Sequence, residues 1–160
     1  MFYRLSIIFS TILVLTSSCS NDDQPDSFEL LNSSSWLGGT EIQEFDYDAS
    51  NNLIDEVIRE TPDGQLHLFS LNADNSAEIK YECDRTKCEG ETHQGKWELK
   101  NNTLTVTINR KELNALADVI FIEGGIHMIN ASEMILEVEF EAPTPSVARR
   151  IRRVKYVRSE

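Results

Sequence analysis

"GKWELKNNTLTVTI", Gly95 to Ile108, is the stretch on which the fold turns. Its second half alternates strictly, with Leu104, Val106 and Ile108 on one side of an extended chain and Thr103, Thr105 and Thr107 on the other. Successive side chains of a strand point to opposite faces, so this is a strand with one dry face and one wet one. A partner lies directly upstream, carrying Trp97 and Leu99, across the polar pair Asn101 and Asn102. Asparagine tolerates the positive φ of a tight turn, which makes the whole stretch an antiparallel hairpin.

The same period recurs on either side. "AEIKYEC" sets Ala77, Ile79, Tyr81 and Cys83 against Glu78, Lys80 and Glu82, and "MILEVEFE" sets Met134, Leu136, Val138 and Phe140 against Glu137, Glu139 and Glu141. Turn-forming clusters stand between such runs: "DASNN" at 48–52, "PDG" at 62–64, "ADNS" at 73–76 and "NAS" at 130–132. Strands are predicted over 38–47, 53–60, 65–72, 77–83, 94–100, 103–109, 119–129, 133–141 and 147–157. Short strands at this spacing indicate a sandwich or a barrel, all-β and antiparallel. The Gly-Gly of "FIEGGIHM", 121–128, reads as a bulge. "RKELNALAD", 110–118, with Leu113 and Leu116 on one side, is a connecting helical turn. "SVARRIRRVKYVR" reads two ways. Val147, Ile151 and Val154 follow helical spacing, as in a basic amphipathic helix on anionic lipid, whereas the β-branched residues and tyrosine of "VKYV" favour a strand, which a barrel needs for closure. The strand is the reading adopted.

The first residues give an address. "MFYRLSIIFSTILVLTSS", 1–18, has a basic residue, an apolar run too short to span a bilayer and then small residues, the layout of a secretory signal. Cys19 follows directly. This placement resembles the lipobox of bacterial lipoproteins, and the "SNDDQPD" after it resembles the acidic signal that sends Bacteroidetes lipoproteins to the outer membrane and to the cell surface. The resemblance implies lipidation of Cys19 and a membrane partner through that lipid. Residues 19–35 form a polar linker, with a docked short helix over "DSFELLN" as its alternative, and 36–160 form one domain.

The net charge of −12 is unevenly placed, because six of the 15 basic residues fall after Ala148. The acidic body repels phosphates, so nucleic acid is not a partner. Cys83 and Cys88 flank a four-residue loop in an oxidising compartment and are predicted to form a disulfide; they lack the C-x₂-C spacing of a metal pair. His67, His93 and His127 occur in no metal or catalytic arrangement, no G-x-S-x-G is present, and the alternating carboxylates of 133–141 sit on a wet face. The expectation is a non-enzyme without metal or cofactor.

In "GKWELKNNTLTVTI" the order of glycine, tryptophan, polar turn and alternating strand resembles the lipocalin-like domains of Bacteroidetes lipoproteins, as do the early tryptophan of "SSSWLGG", the "PDGQLHLF" segment and the "MILEVEF" strand before a basic last strand. This implies a calycin-like up-and-down barrel of about eight strands. Ile79, Tyr81, Trp97, Leu99, Leu104, Val106, Leu136, Val138 and Phe140 would line its interior. Two functions follow. One is a barrel binding a small apolar ligand; the other is a surface module with a filled core that binds or inhibits another envelope protein.

Overall fold

The computed structural model describes residues 27–109, 111, 118–140 and 144–159. The signal segment, Cys19 and most of the helical turn at 110–118 lie outside them. One short helix, α1 (Ser27–Asn32), precedes nine antiparallel strands: β1 (Ser35–Tyr47), β2 (Leu53–Glu60), β3 (Leu66–Leu71), β4 (Ser76–Cys83), β5 (Thr92–Lys100), β6 (Thr103–Ile108), β7 (Val119–Ile129), β8 (Glu133–Phe140) and β9 (Arg149–Ser159). The basic tail is thus a strand, set two residues later than expected. Residues 27–35 belong to the folded body, through α1 and the start of β1, where the linker was expected.

The ring runs β1, β3, β4, β5, β6, β7, β8, β9 and back to β1, so eight strands close a barrel and β2 stands outside it. β1 explains the exclusion. One edge pairs with β9 along its length, but on the other edge Ser35–Gly38 face β3 while Glu41–Tyr47 face β2. The partner changes at a bulge containing Gly39, whose φ of 75° is the left-handed region that glycine adopts without strain. Between β2 and β3 the "PDG" turn, with Gly64 at φ 82°, swings the chain outward, and its N–H is held by the Cys83 carbonyl at 3.0 Å. Asn51, Asn75, Asn101 and Asn102 take positive φ in the turns expected of them. The irregularities of β7 fall at Phe121 and His127, on either side of the Gly-Gly pair where a bulge was expected. Gly124 is instead a place of close approach, since a Cβ there would press on Leu136 and Val138 at 3.2 Å.

One end of the barrel is plugged by α1. Leu31 is fully buried, the Trp36 indole N–H donates to its carbonyl at 3.1 Å, and the Phe28 ring stands 5.1 Å from that of Trp97. Arg158, opposite Trp36 on β9, donates to the carbonyls of Ser33 and Ala131. Above this plug Phe69, Ile79, Leu104, Val106, Met134 and Leu136 form a closed core. A second, smaller cluster lies on the outer wall, where Leu37, Leu66 and Val157 are covered by the loop that the Cys83–Cys88 disulfide pins down.

Candidate binding site in the open half of the barrel

Strand register fixes which side chains point inward, because directly opposed residues of antiparallel strands share a face. Across β1, β9 and β8 the inward rows, read upward from the plug, are Gly38–Tyr156–Met134, Ile42–Val154–Leu136, Glu44–Arg152–Val138 and Asp46–Arg150–Phe140. The lowest row is buried; in the next three Leu136 and Asp46 are buried, the other members are partly exposed, and Phe140 at the top is 40% exposed. The inner wall thus passes from a packed floor to a partly accessible apolar band and then to a charged rim.

The band is aromatic on the opposite wall. His67 sits edge-on to Phe121 with ring centres 4.8 Å apart, Phe121 is 5.3 Å from Tyr81, and Tyr81 is 5.3 Å from His93. Each of these four remains partly exposed although it faces the barrel axis or its edge. The floor beneath is Tyr156, edge-on to Phe69 at 5.4 Å. Burial pushes the Tyr156 phenol well above its ordinary range, and raises Tyr81 in the same direction. It lowers the His67 imidazole to about 4, so this histidine is neutral at pH 7. Its Nε2 is buried without a hydrogen-bond partner, against Gly38, where any Cβ would collide with it and with the Tyr156 ring.

The rim is charged but internally matched. Arg150 grips Asp46 with two bonds of 2.6 Å, and this hydrogen bonding holds the carboxyl below its usual range. Glu44 accepts from Arg152 and from Arg59 of β2 at 2.6 and 2.8 Å, and the Arg152 guanidinium lies over the Phe140 ring at 4.7 Å. Outside, Arg153 and His127 flank Glu137, and Lys155 meets Glu133, so the basic tail pairs with acidic neighbours.

Of the residues singled out from the sequence, Ile79, Trp97, Leu104, Val106 and Leu136 are buried in the core, Tyr81, Leu99 and Val138 are partly exposed, and Phe140 reaches the rim. Only Tyr81, Val138 and Phe140 of that set belong to the open half. The rest of its wall, His67, Phe121, Ile42, Val154 and the ion-pair rim, has no local signature: β1 and β9 carry charges on both faces, so alternation does not mark the inner one. Clefts of about 500 and 560 Å³ also mark the outer wall, the first lined by Asp74, Lys96, Glu98, Thr105 and Thr107, the second by Leu37, Thr40, Arg85, Thr86 and Val157. Both are partly open grooves. Among the described residues no group of three or more His, Cys, Asp or Glu is placed to hold a metal ion. No protein-family model matches the chain, and no curated protein matches it at a significant level.

Proposed function

We propose that this protein is an outer-membrane lipoprotein, anchored through lipidated Cys19, whose lipocalin-like barrel holds a small, largely apolar ligand in its open half. One observation carries the ligand reading. Inward-facing apolar and aromatic side chains, Tyr81, Phe121, Val138 and Val154, stay partly exposed above a closed floor, and such a surface gains free energy when an apolar molecule covers it. Among the described rim residues Asp46 pairs with Arg150 and Glu44 with Arg152 and Arg59, an arrangement that favours an apolar over an ionic ligand. Binding rather than catalysis is the role we assign, because the His67 Nε2 is buried without a hydrogen-bond partner rather than paired with a nucleophile.

Ligand carriage is tested by Val138→Trp, which puts a large ring beside Arg152 in the open half. The purified variant is expected to carry none of the small molecule that the unsubstituted protein carries; equal loading of both would place the ligand elsewhere. Anchoring is tested by Cys19→Ala, expected to move the protein from the membrane to the soluble fraction. Retention in the membrane would refute the lipid anchor. A second reading, an interaction module for another envelope protein, is favoured by the exposed Val119 and Ile120 of β7 and by the apolar side chains of β2.

A further inference from the structure

β2 differs from every other strand of the fold. All eight of its residues are exposed, among them Leu53 at 51%, Ile54 at 49%, Val57 at 39% and Ile58 at 57%. Its one strand neighbour among the described residues is β1, so the opposite edge presents unpaired backbone groups. An edge this long and apolar invites another strand.

The sequence of β2 says which strand fits. When two copies of one strand pair antiparallel about a two-fold axis, the axis is normal to the sheet and preserves its faces. Opposed residues must then share a face, and the register must be centred on a residue opposite itself. For "LIDEVIRE" few centres exist. Centring on Asp55, Glu56 or Arg59 sets a like charge against itself on the axis, and centring on Ile58 opposes Glu56 to Glu60. Centring on Val57 opposes Val57 to Val57, Glu56 to Ile58 and Asp55 to Arg59, each of the unlike pairs occurring twice, with no acid facing an acid; Arg59, which meets Glu44 of its own chain at 2.8 Å, then shares its guanidinium between Glu44 and the partner's Asp55. The five residues concerned lie clear of Ile54, where β2 bulges against β1.

We infer that β2 is a self-association edge: two copies of this chain join antiparallel through β2 in the register centred on Val57, with reciprocal Asp55–Arg59 contacts. The pairing merges the two β1–β2 sheets and covers Val57 and Ile58 from both partners. One strand pair buries less than a standard interface of about 1,600 Å², so the dimer is weak in solution and is favoured when both copies are confined to one membrane.

The test is sedimentation of Ser20–Glu160, which contains every described element, over a range reaching about 500 µM, a range suited to a weak interface. The unsubstituted protein is expected to show a concentration-dependent dimer. V57K puts two ammonium groups on the axis but stands opposite Glu44 within its own chain, so β2 stays on β1 and dimerisation falls at least about tenfold. V57C should give a disulfide-linked dimer under mild oxidation and L53C, which lies off the paired stretch, should not. A monomer throughout the range, or a dimer that V57K leaves unchanged, overturns the inference.

Discussion

His67 and Gly38 form a pair that only the folded chain brings together. The imidazole occupies space that a Cβ on residue 38 would take, and burial holds its pKa near 4 against an ordinary 6.5. The unfolded chain therefore protonates first as pH falls. The stability contributed by this neutral histidine is complete above pH 6.5 and is lost progressively between 6.5 and 4. Urea midpoints at pH 7 and pH 5 are expected to differ more in the unsubstituted protein than in His67→Phe, where an uncharged ring fills the same aromatic cluster. A variant losing as much stability as the parent over that interval would assign the titration to another group. From sequence the histidine was legible only as a residue without a motif. Its partner lies 29 positions away on a strand bulge, and no periodicity reports such a contact.

Among the elements, the strands were the most legible, since a half-buried strand writes its two faces directly into alternate positions. α1 was harder, because six residues cannot hold a helix in water. It exists by docking: Leu31 drops beneath Trp36 and closes the barrel end. Leu31→Ala is expected to cost about 2–5 kcal/mol, whereas Ile58→Ala on the exposed β2 should stay within about 0.5 kcal/mol in the monomer. Chemical denaturation of both variants at low protein concentration checks the contrast, and equal costs would mean that α1 does not plug the core. The position of β2 was the least legible. Its apolar residues fall in adjacent pairs, Leu53–Ile54 and Val57–Ile58, so neither face is dry, and its exclusion from the ring follows the change of β1 partner at the glycine bulge.

For the whole molecule, antiparallel order and closure were accessible from turn spacing and from the need to protect edges. The depth to which the barrel is filled was not. That depth depends on where inward rows change from Tyr156 and Met134 to Glu44 and Arg152, and the change becomes visible only once register is known. The proposed ligand reading rests on the partly exposed inner residues above that change. Native mass spectrometry of Ser20–Glu160, taken before and after extraction with organic solvent, tests that claim most directly. A ligand-binding barrel gives an added small mass at near-unit occupancy that disappears on extraction and partitions as an apolar compound. A bare protein mass in both spectra would contradict it and leave the exposed strands, not the barrel interior, as the working surface.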